Sequence, residues 1–229
     1  MPPALIIKIC GLSTAPTLEA ALAARVDMVG FVFFAKSPRN VSLPLAGDLG
    51  RRVEGRALKV ALCVDADDAT LAAIIARLQP DLLQLHGTET LERVAAIRAR
   101  FGLPVMKAIG IARAADLAQI DTYADVADWL LFDAKASRDA STPGGNGRSF
   151  DWHLLSGLRV AKPYLLSGGL NAENVAEALA ITKAPGVDVS SGVESAPGIK
   201  DPARITDFVA RARQATASAR PLGSTARTA

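Results

Sequence analysis

The residues best suited to proton transfer are a cysteine near the start of the chain and an aspartate further along it. In the apolar run "LIIKICGLS" (residues 5–13), Lys8 and Cys10 have the same parity, so both would point to one face of a strand. A neighbouring cation lowers the pKa of a thiol, and we therefore expect part of Cys10 to be a thiolate base or nucleophile. Asp133 ends the apolar run "WLLFD", where burial would raise its pKa and let it donate a proton. Lys135 has the same parity and could instead hold Asp133 ionised as a structural pair.

Two glycine-containing segments are suited to phosphate binding. The segments "LSGGLNAENV" (residues 166–175) and "VDVSSGVES" (residues 187–195) each follow a predicted strand and offer backbone N–H groups that no bulky side chain covers. Asn171 is a predicted helix N-cap, and helix N-termini favour anions. One such loop alone could equally be a simple turn, but the two together favour a phosphate site. Its predicted residues are Gly168, Gly169, Ser190, Ser191 and Gly192.

Three further features could contact a ligand. Arg39 in "AKSPRN" has a forked donor geometry that suits a carboxylate, with a surface arginine as the alternative. His86 in "QLHG" is expected to be a polar wall residue or a hydrogen-bonding residue rather than a base. The loop over residues 134–149 is the longest in the chain, and Gly145 and Gly147 could let it close over a ligand and add amide donors. The alternative for this loop is a connection with no role.

The order of predicted elements indicates how these residues are brought together. Short β-branched runs alternate with amphipathic stretches, and short connections join them. Strands are predicted at 5–10, 28–34, 58–64, 82–86, 104–109, 129–133, 164–167 and 186–190. Helices are predicted near 14–25, 44–54, 67–79, 89–100, 112–124, 151–157, 171–182 and 201–216. Eight such units predict a single α/β domain, a (β/α)₈ (TIM) barrel over residues 1–216, with a disordered tail at 217–229.

The barrel makes a testable prediction about the polar residues. Catalytic residues of such barrels lie at the carboxyl ends of the strands. The following residues end or directly follow predicted strands: Cys10, Arg39, Asp65, His86, Asp133, Ser167 and Asp188. An open doubly wound sheet is the alternative, but "CGLSTA" is not the GxGxxG turn that it would require after the first strand.

Composition argues against several classes of partner. The net charge is +3, but residues 211–229 contain four arginines and no acid, which leaves the preceding 210 residues at −1. With 5% aromatic residues, the chain offers no stacking platform for nucleic acid. It contains no apolar run long enough to cross a membrane, and its start does not resemble a signal peptide, so a cytoplasmic protein is expected. Cys10 and Cys63 form no CxxC or Cys/His cluster, so no metal is expected, and Cys63 is expected to be a packing residue.

The chain resembles the phosphoribosylanthranilate isomerase family of tryptophan biosynthesis. The resemblance extends in order from residue 6 to about residue 212. Single segments would be weak signals, but their joint order and spacing are specific. They are "KICG" (8–11), "GFVF" (30–33), "KSPR" (36–39), "QLHG" (84–87), "FDAK" (132–135), "GGNGRSFDW" (144–152), "LSGGLNAENV" (166–175), "VDVSSGVES" (187–195) and "PGIKD" (197–201).

The resemblance implies an Amadori rearrangement of N-(5′-phosphoribosyl)anthranilate without metal or organic cofactor. It implies that Cys10 is the general base that removes the C2′ proton and that Asp133 is the general acid that protonates the ribose ring oxygen. It also places Arg39 at the anthranilate carboxylate and Asp188 near the ribose, and it assigns the phosphate to the two glycine-containing loops. Members of the family occur as monomers and homodimers, and both states remain open.

The chain departs from the family pattern at a few positions. Asn40 stands where many members carry an aromatic residue, and Ala134 and Ala136 replace common threonines. Three other functions are less consistent with the sequence. The related isomerase of histidine biosynthesis carries two aspartates and two similar halves, and a phosphosugar epimerase would need paired aspartates and usually metal-binding histidines. A non-catalytic sensor could lose Cys10 or Asp133, but both are present.

Overall fold

The barrel predicted from the alternating pattern is present in the structure. The computed structural model describes residues 5–135, 142, 144, 145, 147 and 149–218. Eight parallel strands form a closed barrel in sequence order, and the eighth strand pairs with the first. The predicted fold class is therefore confirmed, and the open sheet is excluded. The strands are β1 (Ile6–Cys10), β2 (Met28–Phe33), β3 (Leu58–Cys63), β4 (Leu82–Leu85), β5 (Val105–Ile111), β6 (Trp129–Ala134), β7 (Tyr164–Leu166) and β8 (Gly186–Val189).

Helices cover the outside of the barrel. They are α1 (Ala15–Ala23), α2 (Leu43–Val53), α3 (Asp68–Leu78), α4 (Leu91–Phe101), α5 (Ala118–Ala124), α6 (Val175–Thr182) and α7 (Pro202–Ser218). A 3₁₀ turn, Ala114–Leu117, precedes α5. Helix α7 extends two residues into the predicted tail, and the rest of that tail, 219–229, lies outside the described residues. Among the residues that the structure describes, no helix has the length and apolar character needed to span a bilayer.

Three predicted helices differ from the structure, and the one predicted over 112–124 is α-helical only from Ala118. The segment 151–157 forms only a 3₁₀ turn, Trp152–Leu155, after which Gly157 adopts a positive φ of 71°. The helix predicted from residue 171 begins at Val175. Asn171 accepts hydrogen bonds from the backbone N–H groups of Glu173 and Asn174, at 2.8 and 3.1 Å, and so caps a turn that precedes the helix. A side-chain cap of this kind satisfies the same donors as a helix N-cap, which is why the pattern predicted an earlier start.

Side chains inside the barrel form layers. Near the amino ends of the strands the filling is apolar, with Met28, Val60, Leu82, Met106, Ala108, Leu131 and Leu165 in one cluster. Near the carboxyl ends, Cys10, Val32 and Leu62 form a smaller cluster. Between these layers Lys8 and Gln84 are fully buried. Filling by layers is usual in such barrels, but a buried ammonium group requires a partner.

A small hairpin that the sequence analysis did not predict follows the eighth strand. It consists of β9 (Glu194–Ala196) and β10 (Ile199–Lys200), which pair antiparallel, and a short 3₁₀ turn, Ser191–Val193, leads into it. Glu194 and Lys200 face each other across the hairpin, and both are buried. The hairpin therefore places two charged side chains beside the loop that follows β8.

Candidate active site

A cleft opens at the carboxyl ends of the barrel strands. Its empty volume, open mouth included, is about 810 Å³, which suits a ligand of moderate size. All but three of the predicted site residues line it, namely Cys10, Arg39, His86, Asp133, Gly145, Gly168, Gly169, Asp188, Ser190 and Ser191. Lys8, Gly147 and Gly192 do not line the cleft. Apolar side chains complete its wall, among them Val32, Phe34, Leu62 and Val64.

Lys8 lies one layer below Cys10, as the shared parity predicts, but its closest partner is a different residue. The Lys8 ammonium donates to Asp188 Oδ1 at 2.7 Å, and the Lys8 side chain is fully buried. Burial alone would lower the pKa of Lys8, but the charges and hydrogen bonds of Asp188 and Cys10 together outweigh it, and the net shift is upward. Asp188 Oδ2 also accepts a hydrogen bond from the Ser167 hydroxyl at 3.2 Å. Lys8 therefore orients Asp188 from beneath the floor of the cleft.

The expectation that Lys8 lowers the pKa of Cys10 below its ordinary value is wrong for the ligand-free protein. Burial raises the pKa of the Cys10 thiol, and the positive charges of Lys8 and Lys200 offset only part of this effect. The negative charge of Asp188, which lies beside Lys8, also disfavours a thiolate and so raises the pKa of Cys10. The Cys10 thiol is therefore protonated at neutral pH before a ligand binds. Cys63, which packs in the core as predicted, has a pKa raised to about 12 by burial.

Asp133 is held by neighbours that differ from the predicted one. Its Oδ1 accepts the backbone N–H of Ala134 at 2.8 Å, and its Oδ2 lies 3.2 Å from His86 Nε2. Lys135, proposed from the sequence as a structural partner of Asp133, donates to Asp116 Oδ1 at 2.9 Å instead. This ion pair lowers the pKa of Asp116. Lys135 is therefore not the partner of Asp133. Asp133 thus keeps one carboxylate oxygen directed at His86, in the wall of the cleft.

His86 is a hydrogen-bonding wall residue, in the position that the sequence suggested. The Gln84 side-chain amide nitrogen lies 3.0 Å from His86 Nδ1, and an NH₂ group can only donate. With the Gln84 amide in this orientation, His86 Nδ1 accepts and the ring proton is on Nε2, facing Asp133. The Gln84 carbonyl oxygen is buried and has no hydrogen-bond partner among the described residues. Gly144 packs against this pair, since a Cβ built there would lie 2.6 Å from both Asp133 Oδ2 and His86 Nε2.

The two glycine-containing loops lie where the sequence predicts. Gly168 and Gly169 adopt positive φ values of 88° and 65°, and a Cβ at Gly168 would lie 2.6 Å from the backbone nitrogen of Ala134. The Ser190 hydroxyl donates to the Cys10 carbonyl at 3.1 Å, which joins the loop after β8 to the end of β1. Gly192 packs behind the cleft, where a Cβ would overlap the Leu170 carbonyl oxygen. Glycine is therefore required at 168 and 192 for close backbone packing.

Several predicted neighbours of the cleft have other roles in the structure. Asp65 does not line the cleft, and its Oδ1 accepts the backbone N–H of Thr88 at 2.7 Å. Asn40, noted as a departure from the family pattern, is exposed and accepts the backbone N–H of Phe34 at 2.9 Å. In the loop predicted to close over a ligand, 136–141, 143, 146 and 148 lie outside the described residues.

Arg39 lines the cleft but is already paired with a carboxylate. Its Nε and Nη2 donate to Glu194 Oε1 and Oε2 at 2.7 and 2.8 Å, and Nη2 also donates to the Gly145 carbonyl at 3.2 Å. The sequence analysis missed Glu194 and its second partner, Lys200. The signal available was the Pro197–Gly198 turn in "ESAPGIK", with opposite charges on either side, which is typical of a hairpin. Among the described residues, no group of three or more metal-ligating side chains is present.

A closed (β/α)₈ barrel with a polar cleft at the carboxyl ends of its strands defines a TIM-barrel enzyme. The family model for N-(5′-phosphoribosyl)anthranilate isomerase matches residues 7–211. The chain belongs to this family, which confirms the resemblance seen in the sequence. It is an isomerase of tryptophan biosynthesis, and its reaction is the rearrangement of N-(5′-phosphoribosyl)anthranilate.

Relatives support this placement over nearly the whole chain. The N-(5′-phosphoribosyl)anthranilate isomerase of Bradyrhizobium diazoefficiens is 63% identical over 209 residues, which cover 91% of this chain and 94% of the relative. That of Azorhizobium caulinodans is 61% identical over 218 residues, covering 95% and 96%. The crystal structure of the Thermotoga maritima enzyme matches with a TM-score of 0.82 at 32% identity, covering 92% of this chain and 99% of that one.

Another solved structure holds a ligand. It is a phosphoribosyl anthranilate isomerase in complex with reduced 1-(o-carboxyphenylamino)-1-deoxyribulose 5-phosphate. The match has a TM-score of 0.78 at 30% identity and covers 92% of this chain and 99% of that one. The ligand carries a carboxylate at one end and a phosphate at the other, the two groups that Arg39 and the glycine-containing loops were predicted to bind.

Proposed function

We propose that Cys10 is the general base and Asp133 the general acid of the rearrangement. Asp133 gives its proton to the ribose ring oxygen as the C1′–O bond breaks, which opens the ring to a Schiff base. Cys10, as the thiolate, takes the proton from C2′, and the electron pair of that C–H bond forms an enolamine that tautomerises to the ketone. The observation that carries this proposal is that both side chains line one cleft, at the carboxyl ends of β1 and β6.

The surroundings of each group suit its role. Cys10 lies above the Lys8–Asp188 ion pair, so a thiolate formed there would have an ammonium group nearby. Asp133 faces His86 Nε2, which holds the carboxyl group in place in the wall of the cleft. Since the Cys10 thiol is protonated in the free protein, only the minor thiolate form can act as the base.

The remaining side chains would bind the ends of the substrate. Arg39 would contact the anthranilate carboxylate, and Asp188 and His86 would lie near the ribose. Backbone and hydroxyl groups of the glycine-containing loops would bind the phosphate, through Gly168, Gly169, Ser190, Ser191 and Gly192, with Gly145 and Gly147 contributing from the loop after β6. Lys8 would act from beneath, by orienting Asp188. Each assignment except Lys8, Gly147 and Gly192 is supported by a position in the wall of the cleft.

The test is to generate N-(5′-phosphoribosyl)anthranilate in situ and follow the loss of its fluorescence. Cys10→Ser and Asp133→Asn should each lower kcat by about 10²-fold or more, with unchanged circular dichroism. Cys63→Ser and Asp65→Asn are matched controls, because these residues have the same side chains but do not line the cleft. Both controls should keep a rate close to wild type. A Cys10→Ser variant with nearly full rate would mean that the base is another group.

We further propose that the protein works in the cytoplasm, as a monomer or a homodimer, on a small phosphorylated substrate. Both cysteines are free and buried, which suits a reducing compartment. One matching structure is described as mutually generated monomers of the dimeric enzyme from Thermotoga maritima. Light scattering across a range of protein concentrations would distinguish the two states, and fractionation of cells would test the compartment.

A further inference from the structure

Glu194 binds four donors with one buried carboxylate. Its Oε1 accepts from Arg39 Nε at 2.7 Å and from Lys200 Nζ at 2.6 Å. Its Oε2 accepts from Arg39 Nη2 at 2.8 Å and from the Gly198 backbone N–H at 3.1 Å. Burial acts to raise the pKa of Glu194, but the Arg39 hydrogen bond and the charge of Lys200 prevail and the pKa is lowered. Glu194 is therefore an ionised carboxylate shared between two cations.

Lys200 connects this carboxylate to the loop after β8. Its Nζ donates to the Ser190 carbonyl at 2.9 Å and to the Ser190 hydroxyl at 3.1 Å, in addition to Glu194. These three acceptors match the three N–H donors of an ammonium group. Lys200 does not line the cleft, so it acts on Ser190 and not on a ligand directly. Ser190 in turn donates to the Cys10 carbonyl, at 3.1 Å.

Arg39 reaches the cleft from the other side of Glu194. Two of its nitrogens are held by Glu194, and Nη1 has no hydrogen bond to the described residues. A carboxylate that served only to neutralise Arg39 would not need Lys200 as well. Because two cations share one carboxylate, the cluster of Arg39, Glu194 and Lys200 has one net positive charge. An arginine fixed in this way is oriented before an anion arrives, which lowers the entropy lost on binding.

We propose that Glu194 is a positioning residue that couples recognition of the substrate carboxylate, through Arg39, to recognition of its phosphate, through Lys200 and Ser190. The inference rests on the binding roles proposed above for Arg39 and the loop after β8. Glu194 contacts no substrate atom in this scheme. It fixes the distance between the two ends of the cleft, so that a ligand with both anions is favoured over a ligand with either one.

The test uses two probes made from reduced 1-(o-carboxyphenylamino)-1-deoxyribulose 5-phosphate, one without the phosphate and one without the ring carboxylate. Their dissociation constants are measured by titration calorimetry. Arg39→Met should weaken only the probe that keeps the carboxylate, and Lys200→Met only the probe that keeps the phosphate. Glu194→Gln should weaken both, each by about tenfold or more, because a hydrogen bond to a charged group is lost on each side.

The control is a second forked arginine–carboxylate pair at the opposite end of the barrel. Arg98 Nη2 and Nε donate to Asp128 Oδ1 and Oδ2 at 2.8 and 2.9 Å, just before β6. Asp128→Asn should lower the urea midpoint of unfolding and leave both dissociation constants unchanged. If Glu194 had a structural role only, Glu194→Gln would show the same pattern as this control.

Each other result is decisive as well. The inference is wrong if Glu194→Gln weakens one probe or neither. If that variant does not fold, Lys200→Met decides, because an unchanged affinity for the phosphate probe would show that the contact to Ser190 has no bearing on phosphate. If Arg39→Met leaves the carboxylate probe unaffected, the proposed role of Arg39 fails, and the inference fails with it. These outcomes separate an error in the coupling from an error in the binding roles.

Discussion

The contact between β1 and β2 at the catalytic end makes a sharp prediction about Gly30. Cys10 and Gly30 are partners in the parallel register, and a Cβ built on Gly30 would lie 3.0 Å from Cys10 Sγ and 3.2 Å from its Cα. Ordinary contacts between such atoms are about 3.5–4.0 Å, so in Gly30→Ala the thiol must move by roughly 0.5–1 Å. A displacement of about 1 Å in a reacting group can cost about 10²-fold in rate. We expect Gly30→Ala to lower kcat/KM by roughly 10- to 10²-fold.

This variant should lose stability as well as activity, but it should stay folded. The added methyl removes freedom from the unfolded chain, which stabilises by about 0.4–1 kcal/mol, while overpacking costs about 1–3 kcal/mol. The net loss is at most about 2–3 kcal/mol, measurable by urea unfolding. Gly47→Ala in α2 is the control, because its Cβ would meet Arg77, whose exposed side chain can move away. Wild-type kcat/KM in folded Gly30→Ala would refute the idea that the position of the Cys10 thiol limits the reaction.

Three further predictions concern groups around the cleft. The rate at which iodoacetamide alkylates Cys10 in the ligand-free Cys63→Ser protein should still be rising at about pH 9, because the thiolate is the reacting form and burial raises the pKa of Cys10; a plateau below about pH 8 would contradict this. Gly192→Ala should lower the thermal midpoint, because its Cβ would overlap the Leu170 carbonyl oxygen, and an unchanged midpoint would show that the loop adjusts freely. Lys8→Met should destabilise by about 3–5 kcal/mol in urea unfolding, since it leaves the buried Asp188 carboxylate without its cation; Lys8→Met/Asp188→Asn should recover part of this loss.

The sequence predicted the barrel and the location of its cleft because both depend on local patterns. The alternation of β-branched runs and amphipathic stretches repeats eight times, and parity within a strand decides which side chains point inward. Cys10 and Asp133 could therefore be placed at the same end of the barrel without any knowledge of contacts. The same reasoning failed at 151–157, where an apolar segment is too short for a helix and forms a 3₁₀ turn instead.

Pairings between distant residues could not be predicted from these patterns. Lys8 acts on Cys10, two residues away, as expected, but closure of the barrel sets β8 beside β1 and brings in a closer partner, Asp188, from 180 positions along the chain. Lys135 was considered as a partner of Asp133, but it pairs with Asp116 in the 3₁₀ turn after β5. In both cases the sequence correctly predicted the direction in which the lysine side chain points. The partner, however, depended on which strand or turn packs beside that lysine in the folded barrel.

The hairpin after β8 shows why such pairings matter for the chemistry of the cleft. Without Glu194, Arg39 and Lys200 would be two buried cations near Cys10, and their mutual repulsion would oppose folding. With Glu194, the same cations are held at fixed positions, and one positive charge remains to attract an anionic substrate. The charge of Lys200 also lowers the pKa of Cys10, against the larger effect of burial. The substrate phosphate would bring negative charge near this thiol and so raise the pKa of Cys10. The positive charges of Lys8 and Lys200 limit how far that pKa can rise when the cleft is occupied.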